Sequence, residues 1–512
     1  MKFTKSIWNS FADFTDYPKL QQDIDTDVAV IGGGITGISV AHLLARKGMR
    51  VAVLESLKVG GGTSSHSTGN LYFTIDQNLG HLHEKYDRET IREVIASRSA
   101  ALNLMEKLVK EHSLDCDFKR QPWFLYSANQ KNKDRIDAEY EYARQADIPV
   151  QKASPSDFPL KVESGIMVPG QAQVNPMRYV QELAGVLDTD RCQIYEHTRV
   201  KQVEENDDGV TLKTTGGRVK AKWAVHATHT PKGVKLLDTV LGPYREYGIA
   251  CPAGDINFPG GIFWGYHGDG SKFSTRLYER KGERFILVVG QPHKVGQAND
   301  NMEHIRRLET FAEAHFGLTS VAFRWGGQHY RPADLLPYIG RQSSNSNIFV
   351  ATGFSTDGLV YGTLSAIIIA ESIAGDPGRW ADLYNAHRFT PGKSAKKFLD
   401  ENLNVVRQYL KDLPGKKDIS DYDELKPGEG GVIEKDGQKI AASKDEHGKL
   451  TLVSAVCTHM KCIVNWNNAE YTWDCPCHAS RFKPDGTVLE GPAYDPLEKI
   501  EIKGDQHKHR EA

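Results

Sequence analysis

Cysteine is scarce in this sequence: seven in 512 residues, and three of them, Cys116, Cys192 and Cys251, stand alone. That excludes a disulfide-framed secreted scaffold and fits a reducing compartment, with the cytoplasm as the default. Charge of one sign is equally lacking, since 64 Lys and Arg face 66 Asp and Glu for a formal net charge of -2. Such a balance leaves no electrostatic footprint for nucleic acid or an anionic membrane as partner. Long apolar runs are missing too. The most apolar, LVYGTLSAIIIA from Leu359 to Ala370, carries Thr363 and Ser365 and is too short for a membrane span, so it reads as a buried helix. The first residues, MKFTKSIWNSFADF, hold no continuous apolar stretch and include Asp13, unlike a secretory signal. With 39% hydrophobic and 25% charged residues, the composition is that of a globular protein long enough for two or three domains.

The most regular stretch is TDVAVIGGGITGISVAHLLARKGMRVAVLES. A buried strand from Asp27 to Ile31 is expected, then Gly32, Gly34 and Gly37 in G-x-G-x-x-G spacing. A helix from about Ile35 to Lys47 follows, and a second strand from Arg50 to Leu54 ends in Glu55. Each part has a physical role. Gly32 makes a tight turn, Gly34 lets backbone approach a pyrophosphate, and Gly37 permits close helix–strand packing. The helix N-terminus faces the phosphates and Glu55 takes ribose hydroxyls. After Glu55 comes a polar glycine-rich segment, GGGTSSHSTGNL, suited to wrapping the rest of a large cofactor. Far downstream, PADLLPYIG precedes the strand NIFVATG and the loop–helix FSTDGLVYGTLSAIIIAESIAG, whose loop from Gly353 to Gly358 is placed to meet a ligand. No second G-x-G-x-x-G followed by an acid appears, which disfavours a layout with a separate nicotinamide site.

This three-part arrangement resembles the D-amino-acid-oxidase-like flavoproteins, the group containing glycine oxidase, sarcosine oxidase and dimethylglycine dehydrogenase. The resemblance implies an α/β FAD-binding Rossmann-type domain with an inserted, mainly antiparallel substrate domain. It places FAD contacts at Gly32, Gly34, Ile35, Thr36, Gly37, Glu55, Thr63, His66, Gly353, Gly358 and Leu359. The sequence between fits, with a helix in NPMRYVQELAGVLD, strands with Asp-Gly and Gly-Gly turns from Cys192 to Thr228, and a hairpin with a Lys-Gly turn in FSTRLYERKGERFILVVGQ. In the dimethylglycine-dehydrogenase branch, the histidine of a G-T-x-x-H-x-x-G segment bonds covalently to the flavin, and GTSSHSTG puts His66 at that place. Glycine-oxidase relatives carry a carboxylate-binding arginine eleven residues before the last glycine of PYIG. Here that position is His329, with Arg331 two residues on; this departure puts an amino-acid carboxylate in question. Candidate substrate residues are His329, Arg331, Arg276 and Tyr278.

The remaining four cysteines crowd into CTHMKC, Cys457 to Cys462, and CPCHAS, Cys475 to Ser480, each with a histidine. A zinc site, a disulfide staple and a redox cluster are the alternatives. Zinc sites usually draw on C-x-x-C or H-x-x-x-H units. In Cys457-x-His459 and Cys475-x-x-His478, each half instead supplies one Cys and one His, the donor set a Rieske [2Fe-2S] centre needs. The two stretches resemble the Rieske pattern closely, and the resemblance implies Cys457, His459, Cys475 and His478 as ligands with a Cys462–Cys477 disulfide clamping the loops. GPAYDPL, Gly491 to Leu497, resembles the family's proline loop. Ser480 matches its sulfide-bonding serine, while Phe482 stands where high-potential members have tyrosine and lowers the expected potential. The preceding short strands point to a small all-β domain.

The expected organisation is therefore an oxidoreductase over 26–395, with FAD-binding segments at about 26–80, 165–240 and 325–390 and inserted substrate-binding regions. A helix and linker at 396–424 and a Rieske domain at 425–505 follow. Phe398, Leu399, Leu403, Val406, Tyr409 and Leu410 fall at helical spacing in the connecting piece. The whole resembles bacterial fusions of an amino-acid-oxidase-like flavoprotein to a Rieske domain. That implies oxidation of a C–N bond in an amine or amino-acid-like substrate, with electrons leaving through the cluster to a protein or quinone. A reductase fed through the cluster and a non-catalytic redox sensor are the competing readings.

Overall fold

Val28, Ala29 and Val30 have no exposed surface, and Ile31 only 6%. They lie in strand β1 (Ile24–Ile31), which pairs in parallel with β2 (Val51–Leu54) on one side and with the Arg218–His226 strand on the other. A strand covered on both faces reads as a continuous apolar run rather than an alternating one. The computed structural model describes residues 5–12, 15–74, 78–187, 189–230, 241–388 and 421–501. The helix expected over 398–410 and most of the 396–424 linker lie outside the described residues. The described residues form two compact units, one of 5–293 with 302–388, the other of 294–301 with 421–501.

In the larger unit the order across the first sheet is Tyr338–Arg341, Ile348–Thr352, Arg218–His226, β1, β2 and Cys192–Tyr195. Helix α1 (Ile35–Arg46) returns the chain from β1 to β2, as the glycine spacing and apolar periodicity predict. The apolar run near 360 forms the buried Gly358–Ile373 helix. Leu364, Ile368 and Ile369 are at most 1% exposed, each contributing about 1.5–3 kcal/mol of burial. This helix lies against α1 at a place where a Cβ on Gly362 would sit 2.8 Å from Thr36 Oγ1 and 2.9 Å from Ile35 Cγ2. Only glycine admits that approach.

The second sheet has nine strands in an almost wholly antiparallel arrangement, as expected of an inserted substrate domain. Its path runs Phe323–Pro332, Leu241–Pro252, Glu283–Lys294, Lys272–Arg280, Ile262–Tyr266, Lys119–Ser127, Ser164–Gln173 and Asn70–Leu71, with Gln151–Lys152 beside Ser164–Gln173. The expected Lys-Gly hairpin joins Lys272–Arg280 to Glu283–Lys294. Lys281 and Gly282 take φ +50° and +80° there, the paired left-handed values that match the twist of two-residue hairpins.

The smaller unit is all β. One sheet orders Gly430–Lys435, Gln438–Lys444 and Leu450–Ser454; the other orders Asn465–Asn467, Thr472–Asp474, Arg481–Phe482 and Val488–Glu490. Trp473 and Phe482 are fully buried in its core beside Cys457, Cys462, Cys475 and Cys477. Among the described residues no helix is long and apolar enough to cross a membrane.

Candidate functional site: a dinucleotide cradle and a cysteine–histidine cluster

At the carboxyl end of β1 the chain turns at Gly32 with φ +108°, and a Cβ there would lie 2.6 Å from Ala227 O. A Cβ on Gly37 would lie 1.9 Å from Gly32 O, so α1 can start hard against the turn only because both residues are glycine. Helix α1 opens at Gly34 without a side-chain cap. Its Ile35 N–H donates to Ser64 Oγ at 3.0 Å. Glu55 is half-buried at the end of β2; its carboxylate accepts from the N–H groups of Gly33 and Leu57, both at 2.7 Å. Burial pushes this carboxyl above its ordinary range, and the two N–H donors pull it back. Cβ atoms on Gly62 and Gly358 would meet no atom of the chain within 4 Å. The chain therefore leaves room beside the wrapping segment at Gly62 and beside the first residue of the Gly358–Ile373 helix.

Three distant pieces of chain meet at these strand ends. Thr63 Oγ1 lies 3.2 Å from His229 Nδ1. His229 follows the Arg218–His226 strand at φ +66°, and its carbonyl accepts from Thr352 Oγ1 at 2.7 Å. Its ring stands edge-on to Tyr330, 4.9 Å between centroids, and Tyr330 O accepts from Ser355 N–H at 3.0 Å. Ligands of open α/β sheets bind at such carboxyl ends of strands. His66 is half-buried; its Nδ1 lies 3.0 Å from Gly62 O. Gly353 takes φ +77° with its Cβ position 2.9 Å from Pro332 Cγ, and Leu359 is 3% exposed behind it.

Sequence reasoning missed the ion pair beneath this loop. Arg98, fully buried in the Arg88–His112 helix, reaches Asp357 Oδ2 at 3.1 Å. The same guanidinium donates to the carbonyls of Phe73, Tyr72 and Thr74 and stacks 4.5 Å from the Tyr361 ring centroid. Asp357 is the residue before the Gly358–Ile373 helix, so the pair fixes where that helix starts. No local signal links residues this far apart.

The four candidate substrate residues fall into two pairs. His329 is buried and Arg331 half-buried on one face of the Phe323–Pro332 strand. Arg331 Nε donates to His329 Nε2 at 3.2 Å, and its guanidinium lies 4.2 Å from the Tyr244 ring centroid. Tyr244 stands opposite His329 on the neighbouring strand. Arg276, 2% exposed, donates to Thr68 O at 2.8 Å and Gln173 Oε1 at 3.1 Å, and stacks on Trp8; burial pulls its guanidinium down to about 10. Tyr278 donates to Asp117 Oδ2 and accepts from Asn175 Nδ2, both at 3.0 Å. Trp8 Nε1 in turn donates to Ser67 O at 2.7 Å. Arg276 and its neighbours thus hold the wrapping segment that carries His66.

In the smaller unit the two cysteine–histidine stretches face each other. Cys462 and Cys477 form a disulfide, as the resemblance implied. The sulfurs of Cys462, Cys475 and Cys477 lie within 4.8 Å of one another; with two of them joined, that trio sets the disulfide against Cys475 rather than making a metal site. Cys457 and Cys475 are free, buried and hydrogen-bonded to each other. The Cys475 thiol, and against burial the His459 backbone N–H and then the Ser480 hydroxyl, favour the thiolate of Cys457, which falls to about 6, while Cys475 is pushed up as the proton holder. The imidazoles of His459 and His478 lie 5.1 Å apart, nearly perpendicular at 87°. A thiol pair and an imidazole pair are the donors of a cluster with one iron on sulfur and one on nitrogen. The 491–497 loop closes over both stretches: Ala493 N–H donates to Ser480 Oγ at 3.0 Å, and Thr458 Oγ1 donates to Asp495 O at 2.7 Å.

Comparison with known proteins agrees with both halves. The family model described as DAO, FAD dependent oxidoreductase, matches residues 27–372, and that of the Rieske [2Fe-2S] domain matches 416–501. The chain is 30% identical over 97% of its length to the Bacillus subtilis (strain 168) protein YhfW, whose own name is that of a Rieske 2Fe-2S iron-sulfur protein, and covers 98% of it. It is 22% identical over 74% of its length to the gamma-glutamylputrescine oxidoreductase of Escherichia coli (strain K12), covering 90% of that protein. The solved glycine oxidase of Geobacillus kaustophilus shares the fold, with a TM-score of 0.59 at 20% identity over 72% of this chain and 99% of that one.

Proposed function

Since the chain belongs to the FAD-dependent oxidoreductase family and carries a Rieske [2Fe-2S] domain, we propose that it oxidises a C–N bond and sends the electrons out through the cluster. The observation that carries this reading is the presence in one chain of a glycine turn set hard against the start of a helix and a paired thiol and imidazole set. Relatives named for glycine and gamma-glutamylputrescine support an amine or amino-acid-like substrate. The substrate carbon loses a hydride and its nitrogen a proton; water hydrolyses the resulting imine to a carbonyl compound and an amine or ammonia. Bound FAD supplies a two-electron hydride acceptor and the cluster a one-electron path to a protein or quinone.

The residues divide the work. Glu55 takes ribose hydroxyls, and the uncapped start of α1 faces the pyrophosphate. The N-terminus of the Gly358–Ile373 helix favours negative charge on the flavin ring. Arg331, oriented by His329 and Tyr244, anchors the polar end of the substrate, while Arg276 and Tyr278 brace the wrapping segment. Cys457 and Cys475 hold one iron, His459 and His478 the other. The three isolated thiols fit the cytoplasm. There the Cys462–Cys477 bridge, with its cysteines 1% and 2% exposed, is shielded from cellular thiols. The oxidoreductase occupies 26–395 and the cluster domain 425–505, the 294–301 segment packing with the latter.

Anaerobic mixing with a panel of amines, amino acids and hydroxy acids tests the reading. Loss of flavin absorbance with an amine or amino acid, together with a carbonyl product, is expected. Bleaching by hydroxy acids alone would show that the C–N assignment is wrong.

A further inference from the structure

The eight residues 294–301, beginning with the last residue of the Glu283–Lys294 strand, belong to the cluster unit. The 294–301 segment packs on it rather than standing as a surface loop. Val295 is 1% exposed and Asn301 5%. At the segment's near end, Asn465 Nδ2 donates to Gly296 O at 2.7 Å, and Gln297 Nε2 donates to Pro476 O at 3.3 Å. At its far end, Asn301 N–H donates to Asn468 Oδ1 at 2.9 Å, and Asn468 Nδ2 donates to Asp300 Oδ1 at 2.8 Å. Gly296 takes φ +65°, and a Cβ on it would lie 2.7 Å from Asp474 O, 2.9 Å from Pro476 N and 3.1 Å from Cys475 C. All three are backbone atoms of the Cys475 loop, so none can swing aside as a side chain would. The strap is pressed directly on the peptide that carries a thiol of the cluster.

We propose that the 294–301 strap is a positioning element for the Cys475 ligand loop, acting through the backbone of Gly296. The proposal rests on the reading of Cys475 as a cluster ligand. The loop presents the N–H groups of Cys477 and His478 to the Cys475 sulfur. Donors to a ligand sulfur stabilise the reduced, more negative cluster, so a loop pushed off its seat gives a lower potential. The cluster domain of this chain is then completed by sequence from the flavoprotein half, and a fragment beginning near Pro414 lacks one of its own walls.

The test uses the full chain with its cofactors, comparing Gly296→Ala, Asn465→Ala and Asn468→Ala with wild type. Iron content, the electron-spin spectrum after dithionite reduction and the cluster midpoint potential are measured. Gly296→Ala is expected to retain iron, to shift the g-values, and to lower the reduction equilibrium about tenfold, ~59 mV for one electron. Asn465→Ala moves both in the same direction by less, and Asn468→Ala, at the strap's far end, moves neither. Wild-type g-values and potential in both Gly296→Ala and Asn465→Ala would overturn the proposal. Should Gly296→Ala fail to fold, Asn465→Ala alone decides, and an unshifted spectrum there also overturns it. A wild-type protein with no rhombic [2Fe-2S] signal would instead refute the ligand reading beneath it.

Discussion

Gly37→Ala is the substitution whose consequence the flavin cradle fixes most tightly. In a helix interior alanine is ordinarily better than glycine by about 1 kcal/mol, so an unconstrained Gly37 would give a more stable protein. Here the added methyl would lie 1.9 Å from Gly32 O and 3.2 Å from Val30 Cγ1. The first neighbour is backbone, itself in the turn at φ +108°. Helix and turn must part by roughly an ångström, and overpacking of this kind costs about 1–3 kcal/mol. The clash therefore outweighs the propensity gain, for a net loss of up to about 2 kcal/mol. The group displaced is the turn that faces the cofactor's phosphates, so FAD affinity falls with stability. Urea unfolding of the apoprotein gives the first quantity, and flavin fluorescence titration the second. We expect a lower unfolding midpoint and FAD binding weakened about tenfold or more, the equivalent of ~1.4 kcal/mol. A variant more stable than wild type that holds FAD equally well would refute the packing argument.

Asp357→Asn leaves the guanidinium of fully buried Arg98 without its 3.1 Å counter-charge, which costs about 3 kcal/mol, the low end for a broken buried pair because three carbonyls still hold it; an unchanged denaturation midpoint would count against that. Ser480→Ala removes the hydroxyl that bonds Cys457 and receives the Ala493 N–H. The cluster potential should fall by tens of millivolts, a charged-group hydrogen bond being worth about 1.5 kcal/mol, and a potential equal to wild type contradicts the role given to that hydroxyl. Covalent attachment at His66 predicts that acid precipitation leaves yellow colour in the pellet and that His66→Ala releases it. Colour wholly in the supernatant of the wild-type protein excludes the bond.

Both cofactors were legible because each is written in short-range spacing. Gly32, Gly34 and Gly37 are diagnostic as a set because a turn, a backbone approach and a helix packing contact must fall at fixed offsets along one strand–helix unit. Cys457, His459, Cys475 and His478 stand out for the same reason: each of two short stretches offers one sulfur and one nitrogen, the donor types of a Rieske centre. The Lys-Gly turn gave away a hairpin of the antiparallel sheet, whereas the Asp-Gly and Gly-Gly turns between Val200 and His226 lie in the first sheet. What stayed hidden is long-range. Arg98 looks like any exposed helical arginine until Asp357 arrives from the far end of the chain. Nothing local shows that Arg276, a candidate substrate residue, donates to Thr68 O and Gln173 Oε1. Gly362 carries no turn signature, since its requirement is set by Thr36 on another helix. The 294–301 strap sits amid flavoprotein sequence and shows its purpose only through Asn465, Asn468 and the backbone of Cys475.

The central claim is that electrons taken from substrate reach the cluster within this chain. The direct measurement is electron-spin spectroscopy of the full-length protein, frozen under anaerobic conditions after adding a substrate that bleaches the flavin and no other reductant. The account predicts the rhombic signal of a reduced, histidine-ligated [2Fe-2S] centre, growing as flavin absorbance is lost and absent from His459→Ala and His478→Ala. A flavin fully bleached by substrate beside a cluster that stays silent, yet gives its signal on adding dithionite, would contradict it.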